Sequence, residues 1–156
     1  MFVVAGASGG FMQISPKGLQ LIKEFEGLRL DAYLCPAGIL TVGYGHVVKE
    51  RDNIRFGQTI TQERANIFLR DDVRWAENCV KSLVLVPINQ NQFDALCSLV
   101  FNIGQTNFYR STLLQKLNQS NYKAAAENFS RWVFAGKKKL PGLVRRREAE
   151  RLLFIS

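Results

Sequence analysis

Hydrophobic positions follow a helical period along most of this chain, except between residues 30 and 48, where they alternate. The first helical stretch opens at Ser15-Pro16, a hydroxyl cap followed by proline at the first helical position, where its missing N–H costs nothing. Leu21, Ile22 and Phe25 then share one side, and Gly27 supplies a stop. Within the alternating stretch, Cys35-Pro36-Ala37-Gly38 has turn composition, and Thr41-Val42-Gly43-Tyr44-Gly45-His46 reads as a strand. A small hairpin or three-stranded sheet is expected there, its glycines marking a bend or the close approach of another group. Thr61 reads as the cap of a long helix, with Ala65, Phe68, Leu69, Val73, Ala76 and Val80 at helical spacing up to about Leu83. Segments 89–103, 109–117, 122–135 and 143–154 also read as helices, separated by Gly104, residues 118–121 and a loop over 136–142.

These elements predict an α+β, mainly helical protein: a small lobe with the sheet, a long connecting helix and a helical C-terminal lobe. A chain of 156 residues can bury one substantial core. Residues 12–156 are expected to form a single bilobed domain, divided as 12–60, 61–86 and 87–156. A cleft between lobes is a natural place for an extended substrate. Composition shifts at Met12, so residues 1–11 read as a flexible or appended segment. That segment is too short for a membrane span and lacks the basic start of a signal peptide, so a protein of the cytoplasm is expected.

Composition narrows the partners. The formal net charge of +8 favours nucleic acid, an acidic membrane face or a negatively charged wall polymer. No nucleic-acid motif with interleaved aromatics is present, so specific nucleic-acid binding is not expected. The cysteines Cys35, Cys79 and Cys97 are odd in number and without close pairs, which argues for reduced thiols; Cys79 and Cys97 fall among apolar helical neighbours as core residues. With one histidine and no CxxC pair, neither a zinc site nor any cofactor is expected.

Glu26 falls at the carboxyl end of the first helix, against its apolar stripe. The helix dipole and partial burial both disfavour a carboxylate there, which predicts a raised pKa suited to a general acid. Glu24 flanks the same stripe, and the pattern alone does not choose between them.

The stretch FEGLRLDAYLCPAGILTVGYGH resembles the opening of the phage-type lysozymes (endolysins, glycoside hydrolase family 24). The resemblance continues through QFDALCSLVFNIG, STLLQKLNQSNYKAAAENFSRW and LPGLVRRREAERLL, and spans residues 15–154. It implies hydrolysis of the β-1,4 bond between N-acetylmuramic acid and N-acetylglucosamine in peptidoglycan. It assigns the catalytic positions to Glu26, Cys35 and Thr41, separated by eight and five residues. Cys35 stands where many members carry aspartate, and cysteine is a known variant at that position.

Glycoside cleavage needs a proton for the leaving oxygen and a group that delivers water or attacks the sugar. Glu26 is expected to supply the proton if its pKa is raised; Thr41 is expected to orient water, and Cys35 to act as a water positioner, a base or a nucleophile. Asn102, Tyr33 and Trp132 are candidate substrate contacts, Trp132 having core closure as its alternative. The resemblance makes His46 structural, in an ion pair with Asp72. Lys137, Lys138 and Lys139, and Arg145, Arg146 and Arg147, read as solvated faces or contacts to acidic polymers, one of the arginines being a candidate partner of Glu26.

The expected setting is a monomer that starts in a host cytoplasm, depends on a holin for access, and meets glycan strands and anionic wall or outer-membrane polymers. A lytic transglycosylase and a non-catalytic basic wall-binding module are the competing readings.

Overall fold

The computed structural model describes residues 12–156 together with the backbone of Val3 and Val4. Strand β1 (Val3–Val4) pairs antiparallel with Pro87–Ile88. The rest of the segment expected to be flexible or appended, residues 1–11, lies outside the described residues. The chain divides into two compact units: Ile22–Arg74 forms one, and Met1–Leu21 with Trp75–Ser156 forms the other.

Helix α1 (Pro16–Glu26) begins with proline at its first position and contributes to both units. It stops where Gly27 adopts φ +74° and donates its N–H to the Lys23 carbonyl at 3.1 Å. Glycine enters this left-handed region without the steric penalty a Cβ brings. In the smaller unit, β2 (Arg29–Leu34), β3 (Leu40–Gly43) and β4 (His46–Val47) form an antiparallel sheet in chain order. Tyr33 pairs with Thr41, and Val42 with His46. Helix α2 (Gln62–Asp72) starts at Thr61, whose hydroxyl accepts the Arg64 N–H at 3.1 Å; it packs on β3 and β4 and buries Ala65, Phe68 and Leu69.

The helix expected from Thr61 to about Leu83 is two helices, α2 and α3 (Arg74–Leu83), interrupted at Val73. Val73 is fully buried, and its N–H still reaches the Leu69 carbonyl at 3.0 Å. Buried positions keep helical phase across the interruption, so their spacing gives no sign of it. The stripe is shared out: Ala65, Phe68 and Leu69 belong to the sheet-bearing unit, whereas Ala76, Cys79 and Val80 belong to the helical one.

The helical unit is built on α4 (Gln90–Ile103), which follows β5 (Pro87–Ile88) and is capped reciprocally by Asn89 and Gln92. Phe93, Leu96, Cys97, Leu99 and Val100 on this helix are all fully buried. The expected helix 109–117 is α5 (Gln105–Arg110) and α6 (Thr112–Asn118), because the Ser111 hydroxyl accepts the Leu114 N–H at 3.0 Å and starts a new helix. The expected helix 122–135 also ends early. Helix α7 (Tyr122–Glu127) passes into a 3₁₀ turn over Asn128–Arg131, and Phe134–Ala135 becomes strand β6. Strand β6 pairs with β7 (Lys138–Lys139) around Gly136 at φ +62°, so the expected loop holds half of a hairpin. Strands of two residues are too short to show alternation.

Helix α8 (Pro141–Ile155) packs most extensively on α4. Of its arginine run only Arg145 lies on a solvated face; Arg146 and Arg147, of which at most one is expected from the sequence to turn toward an acid, are both buried around the fully buried Glu150. Helical spacing of three and four residues brings these side chains to one side, turned inward. Residues ahead of α1 are tied to the same unit. The Ile14 N–H reaches Glu77 Oε2 at 2.6 Å, and the Ser15 N–H reaches Asp94 Oδ1 at 2.9 Å.

Candidate active site

Glu26 is the last residue of α1 and is half-buried, whereas Glu24 two positions earlier is exposed. The Glu26 carboxylate lies over the β3–β4 turn, where a Cβ on Gly45 would stand 3.7 Å from Glu26 Oε2. Gly45 is at φ +78°, so glycine serves both the turn and the approach of the carboxylate.

Cys35 follows β2 and opens the turn into β3. Its N–H donates to the Ile39 carbonyl at 3.0 Å, and its carbonyl accepts from Gly38 at 2.8 Å. This turn directs the Ile39 and Ala37 N–H groups at the sulfur. Together with the Thr41 hydroxyl they hold the half-exposed thiol below its usual range, against the opposing effect of desolvation. Thr41, buried on β3, also donates to the Ile39 carbonyl at 2.9 Å. A hydroxyl has one proton, so Thr41 serves either the carbonyl or a thiolate at a given moment, and its lone pairs stay available to a water. The Thr41 hydroxyl thus lies close enough to Cys35 to favour its thiolate form. Cys97, in contrast, is fully buried, and desolvation pushes its thiol well above the ordinary value.

Tyr33 is directly opposite Thr41 in the sheet, its ring covered by the Arg29 guanidinium at 4.0 Å. Arg29 in turn pairs with Asp31 at 2.7 Å.

His46 braces the floor of this unit. Its Nδ1 lies 2.7 Å from Asp72 Oδ2 and its Nε2 lies 2.8 Å from Asp52 Oδ2, while its ring stacks on Phe68 at 3.9 Å. Burial pushes the imidazole down, but Asp72 and Asp52 outweigh it, and the pKa is raised above the ordinary 6.5. A carboxylate at each nitrogen favours the imidazolium, in which both ring nitrogens donate. Asp52 has no counterpart in the sequence reading. Its one local sign is the three-residue step from Lys49, whose N–H it accepts at 2.8 Å.

Asn102 and Trp132 belong to the helical unit, where Arg147 connects them. Its guanidinium donates from Nη1 to Asn102 Oδ1 at 2.9 Å and to the Trp132 carbonyl at 3.3 Å. Arg147 is itself anchored on Glu150, which also accepts the Ser98 hydroxyl at 2.6 Å. Asn102 is exposed and Trp132 half-buried.

Known proteins give this geometry its context. The phage lysozyme family model matches residues 23–150. An endolysin from Acyrthosiphon pisum secondary endosymbiont phage 1 is 52% identical over 149 residues, covering 93% of this chain and 99% of the relative. The endolysin of Salmonella phage P22 is 49% identical over 147 residues, with coverage of 93% and 99%. A crystal structure of a P22 lysozyme mutant superposes with a TM-score of 0.88 at 48% identity, over 94% of this chain and all of that one. The chain belongs to the phage lysozyme family.

Proposed function

We propose that this phage lysozyme, a peptidoglycan-hydrolysing endolysin, cleaves the β-1,4 bond between N-acetylmuramic acid and N-acetylglucosamine with Glu26 as proton donor and Cys35 and Thr41 as holders of the attacking water. The observation that carries the assignment is the Cys35–Thr41 pair. A thiol lowered by two turn N–H groups and a hydroxyl is ionised more readily than an ordinary cysteine, and the thiolate is the form able to accept a hydrogen bond from water. The half-buried Glu26 carboxyl then delivers the proton to the leaving oxygen. Water held by the pair attacks the face opposite the leaving group, so the reaction inverts. Asn102, Tyr33 and Trp132 serve as glycan contacts, with the Asn102 amide oriented by Arg147.

Further parts of the reading concern setting. The protein acts as a monomer, and its +8 charge draws it to acidic wall or outer-membrane polymers. Among the described residues no helix is long and apolar enough to cross a membrane. We place its synthesis in the host cytoplasm, with a holin giving access to the wall.

The test is digestion of purified peptidoglycan. Wild type clears the suspension and releases reducing ends, while Glu26→Gln is slower by about 100- to 10,000-fold, the range spanned by general-acid contributions. Anhydro ends would make it a transglycosylase, and tight binding without clearing a wall-binding module. By NMR, the α-anomer is expected first, and initial release of the β-anomer overturns inversion.

A further inference from the structure

Residues 128–147 carry seven basic side chains and no acid. Glu150 holds two of them, Arg146 and Arg147, in the interior. The other five are exposed, and three of these, Lys137, Lys138 and Lys139, sit on the β6–β7 hairpin. The same hairpin leaves the Phe134 ring 56% exposed, directly across from Lys139. At the start of α8, Val144 is 38% exposed beside the exposed Arg145. Between hairpin and helix lies a cavity of about 250 Å³, lined by Val133, Val144, Lys139 and Arg151. The one acid in its wall, Glu148, is held by Arg151 through bonds of 2.7 and 2.9 Å.

We propose that the β6–β7 hairpin and the first turns of α8 form a docking surface for an anionic phospholipid bilayer. Charge complementarity selects an anionic partner, and the apolar groups select among anionic partners. A soluble polyanion satisfies the lysines but leaves Phe134 in water. A bilayer interface takes the phenyl ring into the headgroup boundary while the lysines stay among lipid phosphates. Val133 and Val144 give the cavity apolar walls, and Lys139 gives it a cationic edge, while the Arg151 charge is met by Glu148; the combination suits an acyl chain close to its headgroup phosphate. Docking of this kind concentrates the hydrolase on an anionic membrane face independently of its catalytic groups.

The test is co-sedimentation of the full chain with large vesicles of phosphatidylcholine, alone or with one-third phosphatidylglycerol. Binding is expected on the anionic vesicles, weakening as salt rises. Removing a lysine is expected to weaken it about fivefold, so Lys137→Ala with Lys138→Ala together lowers it about 25-fold. Phe134→Ser, which leaves charge unchanged, is expected to weaken it several-fold, and the added indole of Phe134→Trp is expected to be quenched by brominated lipid. All of these variants should release fragments from purified sacculi at the wild-type rate, which separates this surface from the catalytic assignment. Equal binding to both vesicle types overturns the proposal. So does indifference to Phe134→Ser combined with equally tight binding of a soluble poly(glycerol phosphate), which identifies a polymer-binding face instead.

Discussion

Replacing His46 with asparagine removes the cation between Asp52 and Asp72 and keeps a polar side chain in its place. The wild-type ring makes two charge-assisted contacts, at 2.7 and 2.8 Å, from a site only 5% exposed. Each such bond contributes about 1.5–3 kcal/mol. The Asp72 share falls at the low end, because its side chain is 25% exposed and water replaces part of what the ring supplied; that of Asp52 is 10% exposed. Asparagine can recover one neutral bond. The net loss is about 3 kcal/mol, which for a chain of this size lowers Tm by about 6–12 °C.

The same site has a pH signature with a definite sign. Relative to the ordinary 6.5, the folded imidazole pKa is raised, so its stabilisation is fully present below 6.5 and is lost as pH rises through the folded value. Desolvation opposes the ionised form of Asp52, but His46 and the Lys49 N–H outweigh it and depress this pKa below the ordinary 3.8, so its share is lost as pH falls through the depressed value. The brace is therefore strongest between the carboxylate and imidazole ranges. Thermal melts followed by circular dichroism, for wild type and variant at about pH 5.5 and about pH 9, measure this. The gap in Tm should be large at the lower pH and shrink at the higher one. A gap below about 2 °C, or one that does not change with pH, would falsify the imidazolium brace.

Three further outcomes follow from the same coordinates. Alkylation of Cys35 by iodoacetamide should show a pH midpoint below that of a free thiol, and Thr41→Val should move it upward; mass spectrometry of the labelled peptide reads both, and Cys97 should stay unlabelled in the native protein. Gly18→Ala should destabilise by about 1–3 kcal/mol, because its Cβ would stand 2.6 Å from Ile14 Cγ1 and 2.8 Å from Asp94; an unchanged denaturant midpoint would contradict this. Glu150→Leu should cost about 3–5 kcal/mol, since it leaves Arg146 and Arg147 buried around an apolar side chain, and a melt within 2 °C of wild type, a gap of about 1 kcal/mol or less, would show that the arginines relax outward.

The features legible in the sequence are those with a local cause. Pro16 and Gly27 bound α1 because each acts on its own backbone, and Asn89 and Ser111 act locally in the same way. The break at Ser111 is nevertheless hidden, because the apolar positions around it continue in helical phase. The interruption at Val73 is hidden for a related reason: its stripe divides between two packing partners, and spacing records burial without saying against what. The arginine run is only partly legible from composition. Three adjacent cations read as a solvated face, and only the acid three and four residues downstream shows that two of them turn inward.

Candidate chemistry divides along the same line. The spacing of Glu26, Cys35 and Thr41 is a one-dimensional fact, so the sequence could point to the three positions together. What the cysteine is able to do depends on which backbone N–H groups the following turn directs at its sulfur, and that is set by φ and ψ over residues 36–39. A turn folded the other way would leave the same spacing with an ordinary thiol. Thr41 makes the dependence concrete: its single proton goes to the Ile39 carbonyl, and turning it toward an ionised Cys35 sulfur would draw the hydroxyl away from the backbone. In the proposed mechanism Cys35 and Thr41 hold one water together, so substituting both should cost less than the sum of the separate losses. A double-mutant cycle of Cys35→Ser and Thr41→Val on peptidoglycan clearance measures that coupling, and strictly additive losses would separate the two residues into independent roles.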